Sequence, residues 1–354
     1  MSSNGSPPSD SSGDNSPEDG DGAASKDSAR RRFTRRRIGG LIAGGALLGV
    51  SAWVLRPAPV EESPGWSTAT PLPTGRGEMK AATLDGRIYV PGGLKGLGGS
   101  TDRVDVYEPE SNEWTRVASM PTALNHHATA ALDDRVYVVG GNESFTDPPG
   151  SFAFVYEPGE DEWEELPPLP DGRWGHEALA FDGRVYVLGG VPDDDETIDT
   201  LAYDPEEGEW ERVEPIPTPR EHVAAGVIDG HLVVLSGRWN GENTAAVEAY
   251  DPENDSWHDR APLPTARSGF GAAVIDGRLH AVGGENPSTI GGWTTAAHER
   301  YDPETDTWES LPDAPLPVHG NAVVTSGGRL FVIGGAWRQG AWSVTAWSDH
   351  AFIY

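Results

Sequence analysis

The sequence predicts an all-β fold in which repeated four-stranded sheets stack around a closed ring. Hydrophobic runs that end on two glycines recur as "RIYVPGG", "RVYVVGG", "RVYVLGG", "RLHAVGG" and "RLFVIGG", and "HLVVLSG" is a sixth with serine in place of the first glycine. A tryptophan stands 26 residues before each of these positions, pairing Trp66 with Gly92, Trp114 with Gly140, Trp163 with Gly189, Trp210 with Ser236, Trp257 with Gly283 and Trp308 with Gly334. The composition agrees: 45 glycines and 30 prolines against 36% hydrophobic residues in a chain of 354 suit short strands and turns rather than long helices.

Each unit reads as four strands. An inner stretch such as "HEALAF" alternates small and apolar residues, turns at Asp182-Gly183, and returns as "RVYVLGG". Asp-Gly between two apolar runs is a strong hairpin signal. After a loop of variable length comes a strand ending at Tyr107, Tyr156, Tyr203, Tyr250 or Tyr301, each followed by Asp-Pro or Glu-Pro and each seven residues ahead of its tryptophan. That constant spacing fixes a second hairpin with a Pro-containing turn. The repeat is 47 to 51 residues long, and the length variation lies between the glycine pair and the tyrosine. One such sheet cannot bury both faces alone, so neighbours must stack. Trp66 is an orphan at the start, and Tyr354 is the tyrosine of a unit without a tryptophan strand. The two ends complete one another, giving six blades, the last mixing residues 65–70 with 317–354 and leaving no free sheet edge.

The run into Gly-Gly, the tyrosine before Asp-Pro and the tryptophan beyond it match the kelch repeat position by position over residues 66–354. The chain therefore resembles a six-bladed kelch β-propeller. The glycines then have a structural task, letting the backbone leave the second strand and approach the next blade closely. No helix follows them and no Walker lysine is present, so they are not a phosphate cradle.

Four segments precede or make up this domain. Residues 1–29 form a tail of Ser, Asp, Gly, Pro and Ala, expected to be disordered and cytoplasmic. Residues 30–56, "RRRFTRRRIGGLIAGGALLGVSAWVLR", carry basic residues straight into the uncharged run 38–55. Thr34, Arg35, Arg36, Arg37 and Ile38 resemble the opening of a twin-arginine (Tat) export signal, while Gly39 and Gly40 depart from its end. The resemblance implies export by the Tat translocase, with the domain on the extracellular side. Cleavage motifs are poorly formed, and 18 residues can span a bilayer, so the segment is either removed or retained as a membrane anchor. Residues 57–64 read as a stiff linker, and 65–354 as the domain.

The net charge of −30 argues against nucleic acid, which needs clustered cations. Only three of the 26 basic residues are lysine, and the acid-rich surface resembles that of proteins from extreme halophiles. With no cysteine, disulfides, thiolate metal sites and cysteine nucleophiles are excluded. No cofactor is implied.

In kelch domains that bind ligands, contacts come from the start of the inner strand and from the loop after the glycine pair. Nine positions before the hairpin turn stand Arg76, Leu124, Arg173, Arg220, Arg267 and Val318, and two positions later Glu78, His126, Gly175, His222, Gly269 and Gly320. Four arginines at one level either ring one mouth of the channel and hold an anion or bond backbone carbonyls between blades. His127, His176 and His319 join the histidines there, but no metal-ligand spacing repeats, so no metal site is expected. The loops add Arg238, Trp239, Trp293, Trp337, Arg338, Trp342 and Trp347, which either hold sugar rings or bury themselves under their own loops. The acidic run Asp193–Glu196 lacks the alternation of a calcium loop.

The reading these features favour is an exported, non-catalytic module binding a glycan, sugar acid or protein through pore-mouth residues and loops. The alternative, by similarity to the six-bladed kelch enzyme acting on sialic acid, is a sugar-acid mutarotase or epimerase in which Glu78, His126 or His222 moves a proton. A copper radical oxidase similar to galactose oxidase is excluded by the missing cysteine.

Overall fold

The computed structural model describes residues 60–144, 146–192, 198–287, 293–338, 343 and 346–354. The N-terminal tail, the export-like segment with Arg35 and Arg36, the run 38–55, the loop Asp193–Glu196 and Trp342 lie outside the described residues. Among the described residues no helix is long and apolar enough to cross a membrane.

Those residues form six four-stranded antiparallel sheets. Blade 1 comprises Ala82–Leu84, Arg87–Pro91, Val104–Glu108 and Glu113–Val117. The inner strands of blades 2 to 6 are Ala128–Leu132, Glu177–Phe181, Ala224–Ile228, Gly271–Ile275 and Ala322–Ser326. Each inner strand touches the next, and Ala322–Ser326 touches Ala82–Leu84. The outer strand of blade 6 is Ser67–Thr68, paired with Ala351–Ile353. Residues of the expected linker also lie against this blade, with the Glu61 amide donating to the Pro315 carbonyl at 2.8 Å.

Local chemistry explains the register. Asp85-Gly86, Asp182-Gly183, Asp229-Gly230 and Asp276-Gly277 all have positive φ, as two-residue hairpin turns require. The seven-residue spacing places tyrosine opposite tryptophan across the outer pair, as Tyr107 on Trp114 and Tyr156 on Trp163. Their rings lie 4.9 and 5.1 Å apart, and such pairs contribute about 0.5–1.5 kcal/mol beyond area burial. In blade 6 Trp66 meets Tyr354 at 5.0 Å, so the two ends of the repeat region complete one aromatic pair.

Three sets of bonds join the blades. The second glycine amide, or its counterpart Gly237, donates to the next blade: Gly93 to Leu124, Gly141 to Arg173, Gly190 to Arg220, Gly237 to Arg267, Gly284 to Val318 and Gly335 to Arg76, at 2.7–3.0 Å. Each repeat tryptophan donates its indole N–H to a carbonyl of the preceding blade, from Trp66 on Pro312 to Trp308 on Ala261. The third set encircles the axis. The amides of His126, Gly175, His222, Gly269, Gly320 and Glu78 donate in turn to the carbonyls of Glu78, His126, Gly175, His222, Gly269 and Gly320. All six residues have φ between 51° and 69°.

The first glycine is demanded by this close approach. A Cβ at Gly140 would stand 2.4 Å from His176 Cε1 and 2.6 Å from the Arg173 carbonyl oxygen, whereas one at Gly86 meets nothing within 4 Å. Both have positive φ, which alone costs a side chain about 1–2 kcal/mol. Gly140→Ala should therefore lose about 2–5 kcal/mol and Gly86→Ala only about 1–2, read from urea midpoints. Equal losses at the two positions would remove close approach as the reason for the motif.

The seam between blades 5 and 6 carries a buried pair, His280 Nδ1 and His298 Nε2, 2.8 Å apart, with the His298 ring 4.6 Å from Tyr354 and 5.3 Å from Trp66. Burial holds His280 down at about 4, and burial together with His280 holds His298 at about 3. The unfolded chain binds these protons near pH 6.5, so stability is full above that pH and declines as pH falls toward 4 and 3. His298→Leu should flatten the fall of Tm between pH 6.5 and 4. A pH dependence parallel to that of the unmodified chain would show that this pair does not drive it.

Candidate functional site

The four arginines lie inside the blades. Arg76, Arg220 and Arg267 are fully buried and Arg173 is 1% exposed. Arg76 pairs with Asp105 at 2.7 Å, Arg173 with Asp171, Arg220 with Glu248 and Arg267 with Glu299. Each also donates to a carbonyl of its own blade, as Arg76 Nη2 does to Val90 at 2.9 Å and Arg220 Nη2 to Val234 at 3.2 Å. Of the two readings of these arginines, the ring at the channel mouth is corrected and the structural one holds in altered form: the cations are struts bonded to buried carboxylates and to carbonyls of their own blade rather than between blades. Burial pushes each guanidinium below its ordinary pKa, and the paired carboxylate opposes that shift.

The residues two positions later behave differently. Their backbones form the axial ring, and the left-handed conformation gathers the side chains of Glu78, His126 and His222 at the axis. Glu78 Oε2 lies 3.4 Å from His126 Nε2 and 3.9 Å from His222 Nε2, and its Oε1 lies 3.3 Å from His319 Nδ1. The ligating atoms of Glu78, His126 and His222 all lie within 4.8 Å of one another, a set able to hold a metal ion.

Around this cluster, Trp174 sets its indole edge-on to His126 and His222 at 5.0 and 5.2 Å. Asn125 Oδ1 contacts His126 Nδ1, and the Glu221 carboxylate contacts His222 Nδ1. Arg238 pairs with Glu221 at 2.5 Å and Glu285 at 2.7 Å, and its Nη2 lies 3.3 Å from both ring nitrogens of His222. The loops after the glycine pairs stand at this end. Trp239 is half-buried in the core, Trp337 is half-buried beneath Arg338 at 4.0 Å, and Trp347 donates to the Gly96 carbonyl at 3.0 Å. Trp293 stays exposed on its hairpin.

Comparison with known proteins agrees with this architecture. The family model for the KLHDC2/KLHL20/DRC7 Kelch-repeats domain matches residues 125–335, and the Kelch motif matches residues 75–121. The chain belongs to the kelch-repeat family. Among solved structures, the one described as "Structure of YjhT" aligns over 81% of this chain and 97% of that chain with a TM-score of 0.69 and 17% identity, a likeness of fold. No curated protein matches the sequence.

In this kelch propeller the charges at the axis are coupled. Burial alone would raise the Glu78 carboxyl, but His126, His319 and His222 outweigh it and hold it below the usual carboxylate range. Burial lowers His319, yet Glu285 and Glu78 outweigh burial and bring it up to about 9. His126 is lowered by burial, and His222 well below its ordinary value by burial and Arg238.

Sequence reasoning located Glu78, His126 and His222 by repeat position and missed Asn125, Trp174, Glu221 and Glu285, which come from the residues flanking the ring and from the loops. A signal for the arginine struts was present. The residue two before the repeat tyrosine is Asp105, Glu248 or Glu299 where the strut is Arg76, Arg220 or Arg267, and Phe154 or Phe352 where it is Leu124 or Val318. In blade 3 that position is Leu201, and Asp171 supplies the carboxylate from the preceding turn.

Removing one partner of such a pair leaves a bare buried charge. Arg220→Ala should cost about 3–5 kcal/mol, and the double variant Arg220→Met, Glu248→Leu far less, by denaturant titration. An Arg220→Ala chain as stable as the unmodified one would show that the pair is not structural.

Proposed function

We propose that the chain is an exported, non-catalytic binding module that docks a macromolecular partner on its loop-bearing face. One observation carries this reading. The exposed large hydrophobic residues of the described structure are Val60, Leu97 and Trp293, and the last two sit on hairpins of that face. Leu97 is 87% exposed at the tip between Leu94–Lys95 and Gly99–Ser100, and Trp293 is 41% exposed on the strand paired with Glu285–Asn286. Blade 6 lies between them, and its loop is bonded to both neighbours, Thr294 Oγ1 donating to the Trp337 carbonyl and Trp347 Nε1 to that of Gly96. Apolar tips joined by an aromatic loop suit a protein surface or an extended glycan better than a free sugar acid. The buried, paired arginines offer no carboxylate cradle. Arg35, Arg36 and the uncharged run 38–55 support display beyond the membrane, anchored or released.

The mutarotase reading has one observation in its favour: Glu78, His126 and His222, each a candidate proton carrier, stand together. Magnetisation-transfer NMR of anomer exchange in sialic acid, with and without Glu78→Gln, separates the two readings.

For the docking face, binding of the full chain to glycan arrays and to cell-surface protein extracts should fall at least tenfold in Leu97→Ser, Trp293→Ser. Binding equal to that of the unmodified chain would move the partner site elsewhere.

A further inference from the structure

Three facts converge on the axial cluster, independently of the docking face. The first is donor geometry. A tetrahedral Zn(II) bound at 2.0–2.1 Å separates its ligand atoms by about 3.4 Å. Glu78 Oε2 and His126 Nε2 stand at 3.4 Å, Glu78 Oε2 and His222 Nε2 at 3.9 Å, and the three donor atoms all lie within 4.8 Å of one another.

The second is orientation. Metal-bound histidine directs one ring nitrogen at the ion and gives the other to an oxygen acceptor. Both histidines here do so, and both use the preceding residue: Asn125 Oδ1 against His126 Nδ1, and the Glu221 carboxylate against His222 Nδ1. The Nε2 atoms face Glu78 Oε2, that of His222 also lying 3.3 Å from Arg238 Nη2, which a bound ion would displace, while His319 holds the other carboxylate oxygen.

The third is backbone cost. The same ring position is glycine in three blades, Gly175, Gly269 and Gly320, where positive φ is free of strain. Glu78, His126 and His222 take φ of 51°, 53° and 52°, a conformation costly to a side chain. The residues that bear this cost are the three whose donor atoms meet. Stability alone favours glycine there, so the side chains answer another requirement.

We propose that Glu78, His126 and His222 form a divalent metal site, suited to Zn(II), with a fourth coordination position open to water or to a donor atom of a bound partner. Trp174 covers the two imidazoles on one side, an apolar wall that limits solvent access there. Arg238 stands as a cation against His222, and Glu221 and Glu285 oppose its charge. The three ligands come from three blades, so the ion would cross-link the ring at the axis.

The glycines at the equivalent positions supply the test, since they show what the ring accepts. Full-length chain stripped with chelator is titrated with Zn(II) against a chromophoric competitor, and with Co(II) to read coordination from its visible spectrum. The unmodified chain should take up one Zn(II) and give the intense absorption of four-coordinate Co(II). His126→Gly, His222→Gly should lower affinity at least a hundredfold while the thermal transition stays cooperative, and Asn125→Ala should lower it about 10–100-fold. No stoichiometric uptake, or uptake unchanged in the double glycine variant, overturns the proposal. No histidine precedes position 126, so the N-terminal segments offer no imidazole to compete. The Leu97→Ser, Trp293→Ser chain should bind metal normally, so failure of either proposal is seen apart from the other.

Discussion

Six amide hydrogens at the second position of the glycine pair, each reaching the carbonyl of the next blade, set the spacing on which the rest of this propeller depends. Where the first residue of the pair is Gly140, a Cβ would stand 2.4 Å from His176 Cε1 and 2.6 Å from the Arg173 carbonyl oxygen. Serine at position 236 shows what the site tolerates: its φ is 45°, its hydroxyl oxygen lies 2.6 and 2.8 Å from the Thr244 and Arg267 carbonyls, to one of which it donates, and it accepts from the Arg267 amide at 3.0 Å, so it bonds to the next blade rather than pushing it away. Once the inner strands are locked at this separation, the outer strands diverge, and the tryptophan indoles fill and bond across the wedge that opens. The sequence motif is thus the two ends of one wedge, narrow at glycine and wide at tryptophan.

The axial ring follows from the same spacing. Six inner strands that start this close bring their residues within hydrogen-bonding reach around the axis, and only a left-handed backbone lets each amide face the previous carbonyl. The ring narrows the axis at the loop-bearing end. Below it, the inner strands line a space of about 370 Å³, largely with alanine, valine and threonine. Lys80 crosses this space to Glu177 at 2.7 Å and to the Val223 carbonyl at 3.1 Å, so the inner wall carries its own paired charge. Burial raises the Glu177 carboxyl, and Lys80 opposes the rise.

The fold was legible because its constraints are periodic along the chain. The 26-residue spacing from Trp to Gly spans an invariant path from the outer strand to the next blade's inner hairpin, and the seven-residue spacing from Tyr to Trp is one hairpin with the two rings opposed. The site was half legible for the same reason. Repeat position tells which residues share a level around the axis, and it brought Glu78, His126 and His222 to one level. It does not tell which way a side chain leaves that level. Arg76 and Glu78 are two residues apart, which in a regular strand puts them on one face, but the left-handed turn at Glu78 breaks the alternation. Arg76 then runs outward to Asp105 while Glu78 stays at the axis. Asn125 and Glu221 escaped notice because they act through the imidazole of the next residue, and no spacing in the repeat records that contact.

Positions related by the repeat share the same geometric demand, so where their residues differ, the difference reports something other than the fold. At the strut position, arginine with a carboxylate partner alternates with leucine and valine facing phenylalanine. Both solutions fill one space, which makes the strut replaceable and its charge incidental to ligand chemistry. At the ring position the alternatives are not equivalent: glycine meets the backbone demand without strain, and glutamate and histidine meet it at a cost. A structural requirement is satisfied by the cheaper residue in three blades. In the other three the costlier residues converge on one another instead of spreading around the ring, and each is oriented by a neighbour. Strain that recurs at symmetry-related positions and resolves into a single cluster marks the axis as the place where this propeller departs from scaffold.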